Sequence, residues 1–291
     1  QQGQGIVGNG ACSRAHDTTP KGSGHTSMSD NAIVWADLAR DVVIVQGDDA
    51  GEFLHSQLAN DIASLAVGSS IYSLLLEPTG DICAILRVVR HADTVFTLDV
   101  EAGYGQVIIT RLQRFVLRAK VVMRESDWVV RAFRGPDVRA SLGIVAGRAD
   151  VYWGSDNAID VVAEVSQLPA LGENAEVELV DYLRADARWP KLGVDVLAGD
   201  IPATSGILDV AVSFTKGCYP GQELVERMAS RGASAPVEVR VVSREGLGVG
   251  ARIEKDGVTV GTVTSIGPAL ALVRVARGSE VGEPLFVASN S

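Results

Sequence analysis

Apolar residues recur along this chain with two different periods, and each change of period marks a structural element. Residues 42–45 (Val-Val-Ile-Val) form a short unbroken apolar run, which predicts a buried strand. Gly47-Asp48-Asp49 then offers a helix N-cap, and Phe53, Leu54, Gln57 and Leu58 follow at helical spacing. Three strand-like runs come next, at residues 71–76, 82–90 and 94–100, joined by turns containing Pro78-Thr79-Gly80 and His91-Ala92-Asp93. A second helix is predicted over 104–117, with strands at 120–124 and 128–133. This β-α-β-β-(β)-α-β order predicts an α+β fold with a ferredoxin-like (split βαβ) N-terminal part.

Residues 135–235 mix short elements, including a predicted helix over 173–185 that stops at the Trp189-Pro190 break. From Val237 the texture changes to five short alternating strands with Gly-rich turns, and Asp256-Gly257 is a strong hairpin signal between two of them. These features predict a small C-terminal β-barrel. The expected division is a flexible tail (1–30), the ferredoxin-like part (31–135), a middle α+β domain (136–235) and the barrel (236–291), with the last boundary at Arg231-Gly232-Ala233-Ser234-Ala235-Pro236.

With 46% hydrophobic and 21% charged residues over 291 positions, the composition is that of a folded globular protein. No run approaches the roughly 18 apolar residues of a membrane helix. A net charge of −10 argues against a protein that coats nucleic acid through its overall field, so no direct nucleic-acid partner is expected. Cys12, Cys83 and Cys218 are too few and too scattered for a disulfide framework or a zinc site. His16, His25, His55 and His91 have no metal-ligand spacing. No metal site is expected, and a reducing cytoplasm is the natural compartment. The tail lacks an apolar core segment and is not a signal peptide; Met28 is the expected natural start, after an expression-derived or unstructured extension of 27 residues.

The most informative stretch is Lys216-Gly217-Cys218-Tyr219-Pro220-Gly221-Gln222-Glu223. Gly217 and Gly221 bracket a turn that Pro220 stiffens, and Gln222 opens a predicted helix with Leu224, Val225 and Met228 on one face. A thiol just before a helix N-terminus, two residues from Lys216, is a candidate for a reactive thiolate. The competing reading is a small buried hydrophobe, the fate of most free cysteines.

Lys-Gly-Cys-Tyr-x-Gly-Gln-Glu resembles the motif of the YgfZ-type folate-binding proteins. These are relatives of the glycine-cleavage T-protein (aminomethyltransferase) and are implicated in making or repairing iron–sulfur enzymes. The resemblance implies a T-protein-like ring of three domains around a folate cavity, covering most of residues 33–288. It also implies tetrahydrofolate or a derivative as ligand, and iron–sulfur client proteins as partners. The segment Arg184-Ala185-Asp186-Ala187-Arg188-Trp189-Pro190-Lys191-Leu192-Gly193-Val194-Asp195 is similar to a second family motif, in which the arginine lines the folate pocket. A guanidinium at a helix end can grip a pterin or a carboxylate through paired hydrogen bonds; equally, Arg184 can cap carbonyls or pair with Asp186. Asn60-Asp61 resembles the family's N-terminal Asn-Asp, making Asn60 a ligand candidate whose alternative role is to shape a turn. In the arginine-rich stretch 111–120, Arg118 and Lys120 flank a helix-to-strand junction and are the best placed there for an anionic ligand. Trp189 and Tyr152 complete the expected folate-contacting set.

The departures bear on the reaction. Where the transferases carry paired aspartates, this chain has Cys83-Ala84, and neither supplies a carboxylate for proton transfer. The family's Tyr-Thr-Gly-Glu aligns with Tyr152-Trp153-Gly154-Ser155, so Ser155 stands where a pterin-binding glutamate is expected. A classical aminomethyltransferase is therefore not expected. The leading expectation is a folate-binding accessory protein for iron–sulfur enzymes, with tRNA-modifying ones among the candidate clients and Cys218 as its key thiol. A tetrahydrofolate-dependent one-carbon enzyme and a non-catalytic docking module are the alternatives.

Overall fold

A strand built almost wholly from buried residues sets the centre of the fold. The computed structural model describes residues 32–151, 156–231 and 235–285. The chain runs through β1 (Val34–Leu38), β2 (Arg40–Gln46), α1 (Ala50–Gln57), β3 (Ser70–Leu76), β4 (Ile82–Ala92), β5 (Val95–Glu101), α2 (Gly105–Gln113), β6 (Val122–Ser126) and β7 (Val129–Arg134). Beyond these lie α3 (Val138–Leu142), β8 (Arg148–Ala149), β9 (Ala158–Ala163), β10 (Glu173–Asn174), α4 (Val177–Asp186), α5 (Leu208–Ala211) and α6 (Gln222–Arg231). The last part is all strand: β11 (Val237–Ser243), β12 (Arg252–Lys255), β13 (Val258–Ile266), β14 (Leu270–Ala276) and β15 (Glu283–Pro284).

That buried strand is β4, which lies beside the central strand β5 in a five-stranded antiparallel sheet of order β3-β4-β5-β2-β6. β5 separates β2 from β4, while β3 adds an edge. Asp49 occupies the N-cap position of α1, but its carboxylate makes no cap there and instead accepts from the Lys120 amide at 2.8 Å.

A second sheet has the order β10-β1-β7-β9-β8, with β1 parallel to β10 and the other pairs antiparallel. Ala39 alone separates β1 from β2, yet the two strands lie in different sheets, and β6 and β7 part in the same way. A division at residue 135 therefore runs through this sheet, which joins β1 and β7 to β9. The helix predicted from residue 173 starts only at Val177, because Glu173 and Asn174 pair with Val34 and Trp35.

The C-terminal strands form a third sheet, β12-β13-β14-β11-β15. The predicted barrel is not closed: among the described residues, the edge strands β12 and β15 do not pair with each other. β15 is two residues long and includes Pro284, which has no amide hydrogen to extend a ladder. The predicted hairpin is present, with Asp256 (φ +53°) and Gly257 (φ +76°) both in the left-handed region between Lys255 and Val258. One continuous apolar core links Val43, Leu74 and Leu86 to Trp189, Tyr219 and Val225, and onward to Val239, Val241 and Leu272. No helix among the described residues is long and apolar enough to cross a membrane.

Candidate functional site

The octapeptide is held on both sides of Cys218. On one side, the Lys216 ammonium donates to the carbonyls of His55, Leu58 (2.6 Å) and Asn60 (3.2 Å) and lies 5.1 Å from the Tyr219 ring centroid. Burial pulls this ammonium down to about 8, against the attraction of Asp61. Burial first, and Lys216 second, also hold His55 below the usual imidazole value.

On the other side, Gly221 has φ +86°, and a Cβ there would lie 2.8 Å from the Glu77 carbonyl oxygen in the β3–β4 turn. Only glycine fits that approach. Gly217, by contrast, has no positive φ and open space around it. Tyr219 is buried, with its hydroxyl pushed up to about 12 by burial and then by Glu226. Its amide donates to Gln222 Oε1 at 3.3 Å, and Gln222 Nε2 donates to Glu226. α6 buries Val225 and Met228 and exposes Glu223 in its first turn.

Cys218 is exposed, so it is not the buried hydrophobe of the competing reading. The electrostatic setting differs from the expectation, however. Lys216 is engaged by three carbonyls, and α6 begins at Gln222, after three intervening residues.

Cys83 is buried beside Glu77 and Arg111, and burial, followed by the Glu77 charge, pushes its thiol up to about 11. Arg111, also buried, donates from Nε (3.1 Å) and Nη2 (2.6 Å) to the Leu76 carbonyl and packs on the Phe115 ring. Its Nη1 has no hydrogen-bond partner. Cys83 thus presents a buried thiol and Ala84 a fully buried methyl group, and neither supplies a carboxylate.

The expected folate contacts fall into two groups. Asn60 is buried, and its amide nitrogen donates to Tyr72 O and Val210 O, each at 2.8 Å, while its oxygen accepts from Asp61 N. Arg184 is also buried: Nε pairs with Asp181 (2.9 Å), Nη1 with Asp195 (3.0 Å) and the Trp189 carbonyl, and Nη2 with Ser265 Oγ (2.8 Å). Asp186, considered as its partner, instead accepts from the amides of Ala269 and Leu270. Trp189 packs its ring on Tyr72 at 4.4 Å between centroids. These three residues build the interior. Arg118 and Lys120 are exposed; Lys120 pairs with Asp48 at 3.2 Å and borders an open cleft of about 560 Å³. Tyr152 and Ser155 lie outside the described residues, as do Cys12, His16 and His25.

Sequence reasoning missed a buried ionic network between the first two sheets. Arg87 binds Asp99 (2.9 Å) and Asp160 (2.8 Å), Arg40 binds Asp99 (2.6 Å), and Arg134 binds Asp160 (2.8 Å). The available signal was a charge of each sign set inside apolar strand runs: Arg87 in β4, Asp99 in β5 and Asp160 in β9.

Residues 28–161 match the GCVT N-terminal domain family. The chain is 25% identical to the tRNA-modifying protein YgfZ of Edwardsiella ictaluri over 65% of this chain and 65% of that protein. It is likewise 25% identical to the aminomethyltransferase of Bordetella petrii, over 84% and 77% respectively. The chain thus spans just under two thirds of the YgfZ relative's length. Its fold is similar to the crystal structure of the glycine cleavage system aminomethyltransferase T from Bartonella henselae, with a TM-score of 0.68, 20% identity, and coverage of 84% of this chain and 79% of that one. With its Lys-Gly-Cys-Tyr-x-Gly-Gln-Glu loop and its matched domain, the chain is similar in sequence to YgfZ proteins and aminomethyltransferases, and similar in fold to the latter.

Proposed function

We propose that this chain is a cytoplasmic, folate-binding accessory protein that supports iron–sulfur enzymes, tRNA-modifying ones among them, through the Cys218 thiol. The observation that carries the reading is the contrast between its two described cysteines. Cys218 is exposed on a loop fixed at both ends, whereas Cys83 is buried with its thiol raised to about 11. The tRNA connection is supported by the name of the YgfZ relatives, and folate by the likeness to aminomethyltransferases.

The residues present fit folate in part. Arg184 and Asn60 have their donors committed inside the protein and serve as walls. Arg118 and Lys120 carry exposed charge suited to the carboxylates of a folate glutamate tail. The ring of three domains around a central cavity belongs to this same reading. A transferase reaction is not part of it, because Cys83 and Ala84 offer no carboxylate there.

Titration of the full chain with 5-formyltetrahydrofolate by calorimetry tests the ligand. Saturable binding that weakens in Lys120→Ala supports it, and no heat of binding rejects it. Cells relying on Cys218→Ser protein should lose iron–sulfur enzyme activity; unchanged activity rejects the role of the thiol.

A further inference from the structure

We infer that Lys216 is a positioning residue: its ammonium fills a three-carbonyl cradle at the end of α1 and thereby fixes the loop that presents Cys218. This deepens the thiol reading above and rests on it.

The cradle exists because α1 breaks abruptly. A continuing helix would pair the Ala59 amide with the His55 carbonyl, but Ala59 N donates to Leu74 O at 2.9 Å. Asn60 N likewise donates sideways, to Ser73 Oγ at 2.9 Å. The His55, Leu58 and Asn60 carbonyls are left converging on one point, at a helix end whose dipole favours a cation. An ammonium has three N–H donors and no acceptor, so it matches three carbonyls one for one. The Tyr219 ring borders the same cation. A planar guanidinium presents its donors as a fork and does not match this compact set.

The second fixed point is Gly221, pressed onto Glu77. Cys218 lies between the two, so the thiol is exposed to solvent while its backbone is pinned on either side. Tightly closed short loops have little conformational freedom. The same clamp joins two distant parts of the chain, since Lys216 reaches back to residues that end the first helix.

The experiment uses the full chain and chemical rescue. Hydrogen exchange of residues 216–222 and the iodoacetamide alkylation rate of Cys218, read by peptide mass spectrometry, are compared in wild type, Lys216→Ala, Lys216→Met and Lys216→Arg. Lys216→Ala should keep its circular dichroism spectrum, exchange the loop amides about tenfold faster or more, and alkylate Cys218 at an altered rate. Ethylammonium should restore both properties saturably. Tetramethylammonium at equal ionic strength should not, because it has no N–H, and Lys216→Arg should remain loosened. Unchanged loop protection in Lys216→Ala overturns the inference, as does loosening that ethylammonium cannot reverse. Failure of both the alanine and methionine variants to fold also overturns it, because the lysine would then support the whole fold rather than the loop. If rescue succeeds while Cys218→Ser proves harmless in cells, the clamp stands and the thiol reading falls.

Discussion

Gly80 faces Leu224 so closely that a Cβ on the glycine would lie 2.5 Å from the leucine Cβ. Gly80 also has φ +99°, a conformation that L side chains rarely adopt. The turn after β3 and the first turn of α6 are thus matched surfaces, with one glycine making room on each side. Gly80→Ala combines left-handed strain with overpacking and should cost about 2–4 kcal/mol. Urea unfolding measures the loss, and hydrogen exchange should localise the disturbance to residues 222–228 rather than to β2 or β5.

Asp160 carries the acid sensitivity of the interface between the first two sheets. Burial alone would raise its carboxyl, but Arg134 and then Arg87 outweigh burial and hold it below the ordinary 3.8. A depressed carboxylate contributes stability that is fully present above the unfolded value and is lost as pH falls through the folded one. Asp160→Asn should cost about 3–5 kcal/mol at neutral pH, because it leaves buried guanidinium charge uncompensated. The variant's stability should then fall less steeply than wild type below pH 3.8, measured by urea midpoints across pH.

The two described cysteines should separate cleanly by reactivity. Under native conditions at pH 8, iodoacetamide should label Cys218 and spare Cys83 until the protein unfolds. Cys83 also has a linkage consequence of opposite sign to that of Asp160. Its folded value of about 11 exceeds the ordinary 9.0, so its contribution is fully present below 9.0 and is lost as pH rises through 11. Cys83→Ala should flatten the alkaline limb of the stability curve, as read from thermal midpoints between those values.

Arg184 ties α4 to the third sheet through Ser265 and to the following loop through Asp195, which is itself fully buried and accepts from Thr264 Oγ1 at 2.5 Å. Arg184→Met should destabilise by about 3–5 kcal/mol, since Asp195 would lose its buried countercharge. Restoring stability with Arg184→Met/Asp195→Leu would identify the cost as an unpaired charge rather than lost packing; thermal unfolding of the single and double variants decides.

Local signals in the sequence reached far in some places and failed in identifiable ways elsewhere. The runs that became β3, β4 and β5, the Asp256-Gly257 hairpin and the helix after Gly221 were legible because period and turn chemistry are local properties. Which sheet a strand joins is not local. The strand predicted at 128–133 belongs by sequence to the same part of the chain as the one before it, yet β7 crosses to pair with β1 and β9. Arg184 and Asn60 illustrate the same limit for function: a residue type suited to gripping a ligand is equally suited to gripping the protein, and only the partners distinguish the two. Proximity in sequence makes Lys216 an electrostatic neighbour of the thiol, while its actual acceptors lie more than 150 positions earlier.

The single residue Ala39 between β1 and β2 has a consequence for dissecting this protein. Because the chain passes from one sheet to the next within one peptide step, and β7 repeats the passage, the first two sheets are sewn together by two threads. A fragment ending at residue 135 would keep β1 and β7 but discard β9 and β10, leaving both strands with an open edge exposed to aggregation. Fragments for expression, protein fusions or limited proteolysis should therefore keep residues 32–174 whole, because neither sheet can be excised without unravelling a seam of the other.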